Sequence, residues 1–297
     1  MKSIKLLLKT TRPSFLVLVP ICVLLGLSIS IAAQTPINNY LLFLILLGAL
    51  FAHTSVNLLN EYLDFKSGLD FNTKKTDFSG GSGTLPNNPE LANLTGFLGL
   101  VSLLLTIVIG LFFISMKGFH LLPIGLLGVM LVATYTQWLN RSPVLCLLAP
   151  GLGFGVLMVV GTQLVLDDHI SGLAWEISII PFLLFNNLLL LNQYPDIDAD
   201  KEVGRKTFPI VFGTKASTLV YALFMIIAYA LVLIYIIKGD IPHLAVLALA
   251  PIILSVYSLT GAIKHDANIG QFPQYLATNV AAALLTPLLL ALAIIFG

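Results

Sequence analysis

The feature that most constrains this chain is the recurrence, from end to end, of uncharged apolar stretches about one bilayer long. A hydrocarbon core of roughly 30 Å takes about 20 apolar residues as a helix. Stretches of that size lie near 13–33, 41–60, 95–115, 118–138, 143–165, 173–192, 217–237, 242–262 and 275–296. Runs such as YLLFLILLGALFAHTSVNLL are apolar on every face, whereas barrel strands alternate over about ten residues. Lipid offers the backbone no hydrogen bonds, so each stretch has to satisfy its own N–H and C=O groups as a helix. The sequence therefore predicts an all-α, polytopic membrane bundle of about nine transmembrane helices, built as a single domain over residues 1–297.

Charge placement orients the bundle. With the N-terminus inside, every one of the 15 Lys and Arg residues except Lys117 and Lys238 falls on the inner face, the bias expected of cytoplasmic loops. The basic start MKSIKLLLKTTRP resembles a signal-peptide head, but the apolar run behind it is full length and lacks a small-residue cleavage site, so it reads as the first span. The expectation is a multi-pass protein of the cell or inner membrane, with its N-terminus and the loops 61–94 and 193–216 cytoplasmic. Cys22 and Cys146 both fall inside spans and read as packed thiols rather than a disulfide.

Those two loops carry most of the acid, and each follows a nearly repeated stretch: LLNEYLD at 58–64 and LLNQYPD at 190–196. The stretches straddle the same end of the second and the sixth span, which suggests two related four-helix halves plus one helix. At helical spacing Asn60 and Asp64 share a face, as do Asn192 and Asp196, and Asp200 extends the second row. Like charges four residues apart repel unless a cation lies between them. Mg²⁺ takes oxygen ligands and commonly spans a few carboxylates and substrate phosphates, so the two rows suggest a metal-held diphosphate site. Asp77, Glu90 and Glu202 read instead as solvated loop charges.

These residues resemble the UbiA superfamily of intramembrane prenyltransferases. Its first motif, N-x-x-x-D followed by a further Asp, resembles NEYLDFKSGLD, and its second, D-x-x-x-D followed by Gly and Lys, resembles DIDADKEVGRKT. TRPSF with Pro20 is similar to the family's first helix, the YT at 135–136 to its Tyr after the fourth helix, and GLGFGVLMVVGTQ to its Gly-rich fifth. The spacing D-x-x-x-G-x-D, followed by FSGGSGTLP, resembles the branch that prenylates dihydroxynaphthoate for menaquinone. Glu61, Gln193 and Pro195 depart from that branch, and its basic segment is reduced to Lys74 and Lys75.

The resemblance implies that Asn60, Asp64, Asp196 and Asp200 bind the diphosphate of a polyprenyl donor through Mg²⁺, with Asp70 and Asn192 as supporting ligands. Lys206 and Arg205 would meet the charge of the leaving group, with Lys75 and Arg141 behind them. Tyr135 would bond a phosphate oxygen or shield the developing cation, or else serve as an interfacial anchor. Gly151, Gly153, Gly155 and Gly161 would thin a helix wall for the chain or pack helices closely, and packing is the simpler reading.

The partners expected are a polyprenyl diphosphate, an aromatic quinone-type acceptor with dihydroxynaphthoate favoured, and the bilayer, with no obligate protein partner. Two competing readings are the same fold acting on a glycerol lipid or porphyrin, and a secondary transporter. Transporters place ionisable groups near the membrane middle, whereas these acids cluster at span ends. Nothing supports nucleic-acid binding: there is no G-x-x-x-x-G-K-[ST] run and no basic face.

Overall fold

The computed structural model describes residues 2–73, 75–76 and 78–297, and its regular structure there is entirely helical. Lys74 and Asp77 lie outside the described residues. Eight helices are long and apolar enough to cross a membrane: Pro13–Ala32, Asn39–Ser67, Pro89–Lys117, Pro143–Asp167, Gly172–Glu202, Phe208–Lys238, His243–Gln271 and Pro273–Phe296. The stretch expected at 118–138 forms a shorter apolar helix, Phe119–Thr134, about 24 Å long at 1.5 Å per residue. Beyond Thr134 the polar run Tyr-Thr-Gln turns, and the Asn140 N–H closes on the Tyr135 carbonyl at 3.1 Å. In chain order these nine are the first to ninth spans, with Phe119–Thr134 the fourth.

Helix boundaries depart from the apolar ruler where backbone chemistry intervenes. The second span runs on through its motif to Ser67 and stops at Gly68, whose φ of 83° supplies the left-handed turn that side-chain-bearing residues avoid. The sixth span does not end at Asn192. Pro195 removes an N–H, so the chain passes through a 3₁₀ turn, Tyr194–Asp196, and resumes as Ile197–Glu202. The seventh begins at Phe208 rather than 217 and kinks at Gly213, where φ is 80°.

The fifth span contains Pro150 followed by a π-helical stretch, Gly151–Met158, a local widening that is common at functional sites. The Gly151 N–H donates to Asn186 Oδ1 on the sixth span at 2.7 Å. A Cβ on Gly151 would fall 2.3 Å from the Phe182 carbonyl oxygen, and one on Gly155 would fall 2.3 Å from the Phe182 nitrogen. These two glycines let the fifth and sixth backbones touch. Gly153 and Gly161 line the cavity described below, and a Cβ on them would meet only the fourth-span side chains Leu131 at 3.9 Å and Ile124 at 3.4 Å.

The four C-terminal spans form a tightly joined backing. Within it Tyr221 donates to Asn279 Oδ1 at 3.1 Å, Asn279 Nδ2 to the Asn187 carbonyl at 3.1 Å, and Asn187 Nδ2 to the Tyr221 carbonyl at 2.9 Å. Side-chain bonds of this kind are worth about 0.6 kcal/mol each in a bilayer. A closed ring of them fixes the sixth, seventh and ninth spans in one register. The fourth span is the opposite case, with no buried residue along Leu122–Thr134.

Candidate active site

The first six spans and the loops at one end of the bundle surround a cavity of about 690 Å³. Both Asp64 and Ile45 line it, so it follows the second span for about 28 Å at 1.5 Å per residue. Its walls are apolar through most of that depth and polar at the end where the two motifs meet. His53, read from sequence only as part of an apolar run, lines the channel wall, is 4% exposed and packs edge-on against Phe154 at 4.5 Å.

Asn60, Asp64, Asp70, Asn192, Asp196, Asp200, Tyr135 and Arg205 all line this one cavity. Helical spacing carries Asn60 and Asp64 to it along the second span. Asp196 arrives through the 3₁₀ turn, and Asp200 lies one turn further along the resumed helix. Arg205 joins the two rows: its Nη1 donates to Asp200 Oδ1 at 2.8 Å, and its Nη2 pairs with Asp64 Oδ1. Burial alone would lower the Arg205 pKa, but the facing charges of Asp64 and Asp200 raise it above its ordinary value.

Two features of the site are invisible in the motif spacing. Arg12, just ahead of the first span, donates from Nε to Glu61 Oε1 at 3.0 Å and from Nη2 to Asn60 Oδ1 at 3.2 Å. Glu61 is 1% exposed and also accepts the Ser82 N–H at 2.6 Å and the Ser82 hydroxyl at 2.7 Å. The Gly80 N–H donates to Asp196 Oδ2 at 3.1 Å. The glycine-rich loop FSGGSG is thus tied to both motifs across the polar end of the cavity. A Cβ on Gly81, where φ is 68°, would sit 3.2 Å from both Asp70 and Glu61.

The donor set suits Mg²⁺. Asp70 Oδ2, Asn192 Oδ1, Gln193 Oε1 and Asp196 Oδ1 are buried oxygens with no hydrogen-bond partner, all on residues lining the cavity. Orphaned acceptors carry a desolvation cost, which a hard cation with oxygen preference removes. Among the described residues no three His, Cys, Asp or Glu side chains converge enough to hold an ion alone. Amide oxygens and substrate phosphates would have to complete the shell, as Mg²⁺ ordinarily requires. Gln193, which the sequence offered only as a departure from the family pattern, belongs to this group.

Burial, reinforced by the nearby charges of Asp64 and Glu61, raises Asp70 to about 7. Its carboxyl therefore keeps a proton below neutrality, and a cation has to displace that proton to bind. Mg²⁺ affinity should rise as pH increases toward 7, by up to about tenfold per unit for one displaced proton, and level off above it. Titration calorimetry at pH 6 and 8, in buffers of different ionisation enthalpy, measures both the affinity and the proton released. Affinity that does not change with pH would exclude Asp70 from the ligand set.

The four candidate cations separate in space. Arg205 lines the cavity, while its neighbour Lys206 is exposed, its backbone N–H donating to the Asn140 carbonyl at 2.8 Å. Arg141 is also exposed and outside the cavity lining. Lys75 is exposed, bonds the Ser82 carbonyl and lines a smaller neighbouring pocket. Asp198 and Glu90 point to solvent, as does Glu202, which accepts from Asn72 Nδ2 at 2.9 Å. Thr136, next to Tyr135, accepts from Asn60 Nδ2 at 3.3 Å and ties the end of the fourth span to the first motif.

A model of the UbiA prenyltransferase family matches residues 18–275. The chain is 28% identical over 241 residues to 1,4-dihydroxy-2-naphthoate octaprenyltransferase of Bacillus subtilis (strain 168), covering 79% of this chain and 75% of that one. It is 23% identical over 276 residues to digeranylgeranylglyceryl phosphate synthase of Methanobrevibacter smithii, covering 92% and 93%. A solved digeranylgeranylglyceryl phosphate synthase superposes with a TM-score of 0.69 at 16% identity over 99% of both chains. A UbiA homolog from Archaeoglobus fulgidus bound to DMAPP and Mg²⁺ gives 0.64 at 14% identity, covering 93% of this chain and 98% of that one. At these identities the structures attest a shared fold. The family match, in contrast, runs from the first span into the ninth and takes in both motif helices, and on that basis the chain belongs to the UbiA prenyltransferase family.

Proposed function

We propose that this integral membrane prenyltransferase moves a polyprenyl chain from its allylic diphosphate to an aromatic acceptor, with dihydroxynaphthoate favoured, in a Mg²⁺-dependent reaction. The observation that carries the reading is the pairing of acids and orphaned oxygens around Arg205 at the polar end of a deep apolar cavity. Asn60, Asp64, Asp70, Asn192, Asp196 and Asp200 would hold the ion, which when bound neutralises the charge that grows on the diphosphate as the carbon–oxygen bond breaks. Arg205 fixes the Asp64 and Asp200 carboxylates toward that point and adds a positive charge in a dry site. Tyr135 stands in the same lining. Phe15, Phe78 and Phe154 help exclude water from the allylic cation before the acceptor reaches it.

The acceptor preference rests on the D-x-x-x-G-x-D spacing and on likeness to the Bacillus subtilis enzyme. The match to the Methanobrevibacter smithii synthase along nearly its full length supports a glycerol-lipid acceptor as the second reading. The lopsided Lys and Arg distribution supports placing the N-terminus and both site loops in the cytoplasm. One assay addresses all three points. Inverted vesicles, with the cytoplasmic face outward, should convert added polyprenyl diphosphate and dihydroxynaphthoate to product, lose that activity to an impermeant chelator and regain it with Mg²⁺. Product only with a glyceryl phosphate lipid selects the second reading. Activity that persists in excess chelator removes the metal role.

A further inference from the structure

The residues ahead of the first span form a nine-residue helix, Lys2–Thr10, too short to cross a bilayer. Its side chains fall into three stripes. Leu6 and Leu7 pack against the cluster of Leu85, Leu91 and Ala92, and Thr10 beside them is fully buried. Ile4 and Leu8 are 63% and 55% exposed. Lys5 and Lys9 are exposed as well. At about 100° per residue the three stripes lie roughly 120° apart. One is held by the protein, one is apolar and bare, and one is basic. Water disfavours the second arrangement and a hydrocarbon core the third. A helix lying in the interface, with acyl chains beneath Ile4 and Leu8 and anionic headgroups beside the lysines, satisfies both.

This helix is coupled to the site without slack. Its C-terminal carbonyl at Lys9 accepts the Arg12 N–H at 3.0 Å, and the Thr11 carbonyl accepts from Asn57 Nδ2 of the second span at 2.8 Å. Arg12 itself takes a left-handed conformation, φ 51°, immediately before Pro13 opens the first span. A roll of the helix therefore moves the residue whose guanidinium holds Asn60 and Glu61.

We infer that the Lys2–Thr10 helix seats in an anionic lipid leaflet at the active-site end of the bundle, and that this seating positions Arg12 against the first motif. The seating is independent of which acceptor is used. Lipid charge then becomes a regulator of turnover, because a helix lifted from the headgroups carries Arg12 away from Asn60 and Glu61.

The test places an environment-sensitive fluorophore on Ile4→Cys in the full chain, where Cys22 and Cys146 are buried and do not compete for label. Nanodiscs are made of phosphatidylcholine alone or with phosphatidylglycerol. In the anionic discs the label should be shielded from aqueous iodide and quenched by brominated acyl chains. Lys5→Gln should lower the seated-to-free ratio by about fivefold, and Lys5→Arg should restore it. Prenyl transfer in the anionic discs, measured on chains without the label, should fall with Lys5→Gln and recover with Lys5→Arg. Equal iodide access in both membranes, or no response to Lys5→Gln, overturns the seating. Loss of seating with unchanged turnover overturns the link to Arg12. The fluorescence readout does not depend on any catalytic assignment.

Discussion

Asp64→Asn and Asp196→Asn should each lower turnover by at least about a hundredfold, equivalent to roughly 3 kcal/mol of barrier. Both changes keep side-chain size and remove one negative charge from a site whose oxygens would hold the metal at the diphosphate. The loss should appear chiefly in kcat, because the leaving-group charge that the site compensates develops only as the bond breaks. Asp64 also faces Arg205, so its variant needs a melting measurement alongside the kinetics; Arg205 retains Asp200 as a partner. The controls are Asp198→Asn and Glu90→Gln, which alter exposed acids of the same loops and should stay within a few-fold of wild type. If all four variants behave alike, or if Asp64→Asn loses only folded protein and not turnover per molecule, the acids are structural.

The second large effect is on stability. Arg205→Leu removes the only cation that bonds both Asp64 and Asp200 among the described residues, leaving two carboxylates that are 6% and 4% exposed. Breaking a buried ion pair from one side costs about 3–5 kcal/mol, since the remaining charge stays uncompensated. The variant should melt well below wild type in detergent without divalent cations. Added Mg²⁺ should recover more stability in the variant than in wild type, because it restores positive charge between the same two acids. Lys206→Leu, at an exposed side chain, should shift stability by no more than about 0.5 kcal/mol. Equal melting of the Arg205 and Lys206 variants would show that the Arg205 pairs contribute nothing to the fold.

The contrast between Arg205 and Lys206 shows where sequence reading loses resolution. Two adjacent cations past a motif are equivalent on paper. The turn after Glu202 sends one guanidinium inward to Asp64 and leaves the neighbouring ammonium in solvent. Asp198 and Asp200 divide in the same way, since a short helix presents only one of them to the cavity. Most span ends were legible to within a few residues. The larger departures fall at Gly68, near Pro195 and Gly213, at the start of the third span, which opens at Pro89 rather than 95, and at the end of the eighth, which runs on to Gln271 rather than 262.

Read alone, the sequence determined the class of fold and the pair of motif helices. Bilayer thickness and backbone hydrogen bonding leave a chain with this many uncharged stretches few alternatives, and helical periodicity places Asn60 with Asp64 whatever surrounds them. The tertiary structure decided the composition of the site. Arg12 meets Glu61 and Asn60 across 49 and 48 residues, Gly80 meets Asp196 across 116, and Arg205 meets Asp64 across 141. Contacts of that separation depend on how the whole bundle packs, and no local pattern encodes them.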